Sequence, residues 1–301
     1  MDRLFSFRDK DGHYVLKIFG IRLSFKHKCN FKYKPALDYG VTVEKRDPQV
    51  IVSLTSFPAR INFVHLAINT LLRQTFKPDR IILWLAEEQF PNKESDLPET
   101  LLRLIDLGLE IKWCVDIKSL KKLLPALREY TNDIIVTADD DLFYQENWLE
   151  ELYKAYLKNP NYAYVHRVSR LMHENDVVRQ CKRREIKEKC HTLPSALNSI
   201  YGGSGCLYPP NFVNDEVFNL ENAVKITDNA DDLWFWAMLV LNNKKVVEVS
   251  GEKSDFKIIE GTDSCALCKI NRDRDFNLIY KNLLETYPQI LVNIKKELNY
   301  N

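Results

Sequence analysis

The feature that most constrains this chain is an alternation between residues 50 and 158: four short apolar runs, each followed by a stretch of helical periodicity. VIVSLT (50–55), RIILWLA (80–86), EIKWCVD (110–116) and DIIVT (133–137) are too short for helices and apolar enough to be buried strands. Residues 62–74 place Val64, Ala67, Ile68, Leu71 and Leu72 on one side of a helix. Residues 97–107 read as a second helix, residues 119–130 as a third that Pro125 shapes or breaks, and residues 147–158 as a fourth, ended by Asn159-Pro160. Strand–helix–strand units of this length cross over right-handedly and give a mainly parallel sheet. The expected class is α/β: a Rossmann-like, mainly parallel sheet flanked by helices, with a small N-terminal β segment and a helical C-terminus.

The second half is less regular. YAYVHRVSR (162–170) reads as a strand, and residues 176–191 as a mobile loop or a short helix. Residues 201–205 (YGGSG) read as a turn, 230–242 as a helix and 245–250 as a strand. Residues 276–298 read as helical, interrupted near Pro288. Trp234 and Trp236 fall on the apolar side of their helix and are assigned to the core.

With 301 residues, 45% of them hydrophobic, the chain can bury a large core, and a formal net charge of +1 excludes a globally charged, disordered polymer. The charge is unevenly spread. Residues 1–34 hold nine Lys or Arg against three Asp, a net of +6, which leaves −5 for the rest. This basic head admits two readings: contact with an anionic membrane surface, or a solvated β-hairpin around Gly20 that caps the domain. Residues 35–48, punctuated by Pro35, Gly40 and Asp47-Pro48, read as a linker. Seven cysteines (Cys29, Cys114, Cys181, Cys190, Cys206, Cys265, Cys268), with no secretory signal before them, read as reduced thiols of a cytoplasmic protein. A zinc site of Cys265 and Cys268 with Cys181 and Cys190 is the alternative. No run of about 18 apolar residues marks a membrane span, so any membrane contact is expected at the surface.

The strand IIVTA delivers Asp139, Asp140 and Asp141 at its tip. Adjacent carboxylates repel, and at a buried strand end a cation relieves them. Mg²⁺ and Mn²⁺ take oxygen ligands, commonly one or two carboxylates completed by phosphate oxygens. In extended chain Asp139 and Asp141 point to one side and can share an ion, with Asp140 turned elsewhere. A solvated acidic turn, or a helix N-terminus capped by Asp141, is the plainer reading of the same residues. His166, His173 and His191 follow the cluster, and none is assigned to the metal, since a lone histidine is more often structural.

The stretch DIIVTADDD resembles the strand and metal-binding DxD motif of GT-A-fold nucleotide-sugar glycosyltransferases. VIVSLTSFPARI is similar to their first strand and nucleotide-binding loop, LLRQTFKPDRIILWL to the helix, turn and second strand that follow, and DIKSLKKLLPAL to the helix before the DxD strand. The resemblance covers residues 49–250 and is closest to bacterial transferases that build lipopolysaccharide, lipooligosaccharide or capsule. The head segment KIFGIRLSFK is also similar to the N-terminus of many of them. The chain departs from the pattern where the second strand ends in Leu85-Ala86-Glu87-Glu88 rather than Asp-Asp-Gly-Ser, so the base-recognising residue is not carried over.

The resemblance implies a GT-A-like catalytic domain over 49–301, with a nucleotide-binding half (49–141) and an acceptor half (142–301), after the basic β segment and linker of 1–48. It implies transfer of a sugar from a nucleotide-diphosphate donor, a UDP-sugar, to a glycan or glycolipid precursor of the cell surface. The expected place is the cytoplasm, peripheral on the inner face of the membrane, with no nucleic-acid partner. Mn²⁺ or Mg²⁺ held by Asp139 and Asp141 stabilises the leaving diphosphate. Arg60 and Lys122, near the strand ends, are the candidate phosphate contacts, and Thr55, Ser56 and Asp140 line the nucleotide site. Gly202 and Gly203 lie where a glycine-rich turn meets donor sugar and acceptor. Asp231 and Asp232 occupy the position of the base in inverting enzymes, with Asp232 preferred; as plain structure they suit the positive end of a helix dipole. Two other classes stay open: a sugar nucleotidyltransferase, disfavoured because the TSFPAR loop has no glycine, and a non-catalytic nucleotide- or glycan-binding module.

Overall fold

The computed structural model describes residues 5–10, 13–18, 21–26, 33–44, 46–175, 177–181, 192–249, 256–262 and 275–299, the first three stretches as backbone only. It divides into two compact units, 1–33 and 34–301. In the first, β1 (Phe5–Lys10), β2 (His13–Ile18) and β3 (Ile21–Lys26) form an antiparallel sheet in the order β1-β2-β3. Phe5 lies opposite Ile18, and Ile18 opposite Ile21.

The second unit holds a seven-stranded sheet. Its strands are β4 (Val50–Thr55), β5 (Arg80–Ala86), β6 (Leu109–Cys114), β7 (Ile134–Thr137), β9 (Ala163–Val165), β13 (Cys206–Tyr208) and β14 (Val246–Glu248), in the order β14-β9-β13-β7-β4-β5-β6. All pairs are parallel except those of β13, which runs antiparallel between β7 and β9. Smaller sheets pair β10 (Val168–Glu174) with β11 (Val177–Gln180) and β12 (Asn198–Ile200), and β8 (Leu142–Phe143) with β15 (Lys257–Ile258).

Side chains alternate across the central sheet as the strand period requires. Val50, Val52, Leu54, Ile134 and Val136 pack on one face with Val64, Ile68 and Leu71 of α1 (Val64–Leu72) and with Trp148, Leu149 and Leu152 of α4 (Trp148–Lys158). Ile51, Ile82 and Ile135 pack on the other face with Leu120, Leu123 and the helix α6 (Asp231–Leu241). Trp234 and Trp236 are fully buried there, and their indole N–H groups donate to the carbonyls of Val217 and Ala196, both at 2.9 Å. α5 (Leu220–Thr227), α7 (Phe276–Thr286) and α8 (Pro288–Asn299) complete the helices on this side, the last two separated at Tyr287-Pro288. Among the described residues no helix is long and apolar enough to cross a membrane.

Several segments differ from the expectation. The helix read over 97–107 is only α2 (Glu99–Leu102) and a 3₁₀ turn, because Pro98 precedes it and Gly108, at φ 106°, ends the segment. In the segment 119–130, Pro125 does not break a helix: it sits in the first turn of α3 (Leu124–Glu129), where no N–H is missed, after a 3₁₀ turn at Lys118–Lys122. The strand read over 162–170 divides into β9 and β10, which belong to different sheets. Of residues 176–191, 177–180 form a strand, and 176 and 182–191 lie outside the described residues, as do Cys29, Cys190, His191, Cys265 and Cys268, and with them the alternative zinc site. Residues 35–48, read as a linker, belong to the larger unit: Ala36 and Val41 are buried, and the N–H groups of Gly40 and Thr42 donate to Leu107 and Pro78, both at 2.8 Å.

Replacing Trp236 by Ala removes a fully buried indole and orphans the Ala196 carbonyl. The expected loss of unfolding free energy in urea denaturation is about 3–5 kcal/mol.

Candidate functional site

In an open parallel sheet, ligands bind beyond the carboxyl ends of the strands. Here β4 and β7 end side by side. Ser53 pairs with Thr137, so the end of β4 at Thr55 and the segment after it, with Ser56 and Arg60, lie next to the segment after β7, with Asp139, Asp140 and Asp141. The 3₁₀ turn bearing Lys122 is pinned above them by Ser53 Oγ, which donates to the Lys122 carbonyl at 2.7 Å. These elements line a cleft of about 310 Å³ whose walls include Thr55, Ser56, Arg60, Lys122, Asp139 and Asp140. Six residues singled out from sequence thus meet in one depression. Gln89, Lys118 and Lys121 also line it and were not anticipated. Lys121 is spent on Asp116, at 2.6 Å, a carboxylate supplied by the loop after β6.

The carboxylates are compensated from within the chain. Asp140 accepts from Ser56 Oγ and from Arg60 Nη1, each at 2.6 Å, and Arg60 Nη2 lies 3.0 Å from Asp141 Oδ2. Lys122 Nζ lies 2.8 Å from Asp139 Oδ1 and 2.9 Å from Asp231 Oδ2, so one ammonium joins the tip of β7 to the first turn of α6. Burial works against both cations, yet the surrounding aspartates outweigh it and hold them above their usual ranges. The sequence left this neutralisation to a metal alone; the structure gives Arg60 and Lys122 a share in it. The triplet also folds more tightly than an extended strand, since Asp140 and Asp141 share one guanidinium.

The glycine turn packs directly on these carboxylates. A Cβ on Gly203 would lie 2.3 Å from Asp139 Oδ2, and one on Gly202 would lie 2.3 Å from Asp232 Oδ1, so any side chain at either position displaces a carboxylate. Two aromatic residues that sequence reasoning missed hold the turn in place. The buried Tyr144 hydroxyl accepts from the Asp139 N–H at 2.7 Å and donates to the Gly203 carbonyl at 2.8 Å. Its ring packs on Trp148 with centroids 4.6 Å apart, and the Trp148 indole N–H donates to Ser204 O at 2.8 Å. Gly205 takes φ 103° with Trp148 against its backbone. No local signal marks Tyr144, because its partner carbonyl is 59 residues away.

Burial, and then the charge of Asp139, push Asp141 up to about 7; burial, and then Asp231, push Asp232 up to about 7. Asp139 and Asp141 are half-buried hard oxygen donors close enough to repel one another, which suits Mg²⁺ or Mn²⁺. Among the described residues no three His, Cys, Asp or Glu side chains converge on one metal position, so such an ion would need oxygens from a ligand as well. His166 takes no part: it is buried against Trp148, its Nε2 donates to the Trp148 carbonyl at 2.9 Å, and burial lowers it to about 4.

Tyr144→Phe keeps the ring and strands the Asp139 N–H and the Gly203 carbonyl. The expected cost is about 1–3 kcal/mol in chemical denaturation, whereas a merely exposed hydroxyl would cost almost nothing.

Comparison with known proteins bears on the same region. Residues 122–208, from Lys122 through β13, match the family model described as glycosyl transferase family 2. No curated protein matches the chain. Among solved structures, S. aureus TarS (residues 1–349) is similar at 13% identity and a TM-score of 0.46, over 82% of this chain and 70% of that one. The mannosyltransferase PcManGT from Pyrobaculum calidifontis, in complex with GDP-Man and Mn²⁺, is similar at 15% identity and a TM-score of 0.45, over 90% and 78%. The protein is thus an α/β protein with a mainly parallel central sheet and flanking helices, in which the segment 122–208 matches glycosyl transferase family 2.

Proposed function

We propose that the protein is a metal-dependent glycosyltransferase that moves a sugar from a nucleotide-diphosphate donor, a UDP-sugar, to a surface glycan precursor. The observation that carries this reading is the meeting, at the ends of β4 and β7, of a basic and hydroxylic cleft with Asp139 and with a glycine turn that touches both Asp139 and Asp232. The acceptor class rests on the sequence resemblance, and the +6 net charge of residues 1–34 suits a partner at an anionic membrane surface.

In this reading Asp139 and Asp141 hold Mn²⁺ or Mg²⁺, which when bound supplies the Lewis acid that stabilises the leaving diphosphate. Thr55 and Ser56 face the nucleotide, and the Arg60 and Lys122 cations add positive charge beside the phosphates. The Gly202-Gly203 turn, bare of side chains, lets the Asp139 and Asp232 carboxylates approach its backbone beside the bound sugar. Asp232 accepts the proton of the attacking hydroxyl while the anomeric carbon exchanges its bond to phosphate for one to the acceptor oxygen, with inversion. Asp232 suits this role better than Asp231, because Asp231 is held by Lys122 at 2.9 Å, whereas Asp232 is raised to about 7 and lies against the turn.

The deciding experiment is a screen of nucleotide sugars for Mn²⁺-dependent donor hydrolysis, run beside calorimetry with UDP. Hydrolysis of one donor, dependent on metal, is the expected result. Metal-dependent UDP binding with no hydrolysis of any donor would instead make the chain a binding module. Asp139→Ala and Asp141→Ala are each expected to abolish metal-dependent UDP binding in a folded protein, and full activity in either refutes the metal assignment.

Asp232→Asn is expected to lower turnover by about 10²–10⁴-fold while sparing donor binding. The carboxylate acts as a base only once its proton has left, so the wild-type rate is expected to rise with pH through about 7 and then level. A rate that falls over that range, or an Asp232→Asn variant with the wild-type profile, removes Asp232 as the base.

A further inference from the structure

We propose that Lys122 is an internal counter-ion that closes the Asp139–Asp141 pair to a bare divalent cation and releases it only to a cation that arrives with a nucleotide diphosphate. This rests on the reading of Asp139 and Asp141 as the metal pair.

The Lys122 ammonium touches two carboxylates from different elements, Asp139 at 2.8 Å and Asp231 at 2.9 Å, and its side chain is only 8% exposed. Its backbone carbonyl accepts from the Ser53 hydroxyl at 2.7 Å, which fixes the point from which the side chain reaches both partners. Arg60 does the same on the other flank, between Asp140 and Asp141. Each of the four carboxylates thus already touches one of the two cations before any ligand enters.

A bare dication that takes Asp139 leaves the ammonium with Asp231 as its one ion-pair partner. It also places two like charges a few ångströms apart beside a buried ammonium, where their repulsion is screened less than at an open surface. A diphosphate removes that conflict. Its oxygens give Lys122 a partner in place of Asp139 and bring negative charge to match the dication. Binding of metal and of nucleotide is therefore positively coupled through one side chain, and the coupling is reciprocal. Lys118 serves as a control: it lines the same cleft and carries the same charge, but its side chain is 65% exposed and paired with Asp116.

The test is calorimetric titration of Mn²⁺, with and without UDP, into the wild type and into Lys122→Met, Lys122→Gln and Lys118→Met. The Gln variant keeps a hydrogen-bond donor toward both carboxylates, so it serves if the Met variant does not fold. The expected result is that Mn²⁺ alone binds the Lys122 variants about ten-fold or more tightly than the wild type. Lys118→Met is expected to match the wild type toward Mn²⁺ alone, and UDP is expected to raise Mn²⁺ affinity far more in the wild type than in the Lys122 variants. Lys122 variants that bind bare Mn²⁺ no better than a wild type that does bind Mn²⁺ with UDP overturn the inference alone. A wild type that takes no Mn²⁺ even with UDP removes the metal pair itself, and this inference with it.

Discussion

The site is organised by charge compensation at the mouth of β7. Five carboxylates, those of Asp139, Asp140, Asp141, Asp231 and Asp232, are gathered within reach of two buried cations, Arg60 and Lys122. Removing one partner of a buried pair leaves a charge with no solvent to receive it, and that is costlier than losing an ion pair at the surface. The arrangement also explains why burial governs the raised carboxyl groups: two cations cannot fully offset five acids withdrawn from water.

Around this electrostatic centre the fold supplies rigidity. The central sheet brings β4 and β7 together in parallel, so both deliver their following loops to the same edge. β13, running antiparallel beside β7, returns the chain so that the glycine turn just before it reaches the Asp139 carboxylate. Tyr144 and Trp148 then tie turn and acidic loop together through hydrogen bonds from a hydroxyl and an indole, each on a ring locked in the core. The two halves of the site are connected by packing and by defined bonds, which is how a site holds its geometry before a ligand arrives.

Lys122 links that frame to α6. It stands at the end of a 3₁₀ turn between β6 and β7, yet its second partner opens a helix more than a hundred residues later. The first turn of α6 carries Asp231 and Asp232 at the positive end of the helix dipole, where acids are favoured. Lys122 then divides them by environment, engaging Asp231 and leaving Asp232 against Gly202. Two neighbouring residues of one type thereby acquire different chemistry.

The amino-acid sequence by itself determined the parallel sheet, since strand-like and helix-like periodicity is written locally in runs such as VIVSLT and in residues 62–74. It also determined that aspartates stand at a strand tip and that glycines 202 and 203 can approach a neighbour closely. It did not show that the segment 162–170 serves two sheets, or that the helix over 97–107 shrinks to one turn, because strand partners and helix ends depend on packing as well as on propensity. Only the tertiary structure decided which cation meets which carboxylate and that Tyr144 bridges Asp139 to Gly203. The reason is physical. Propensity acts over a few residues, whereas a buried charge or hydroxyl must find its partner wherever the chain folds back, and that distance in sequence leaves no local trace.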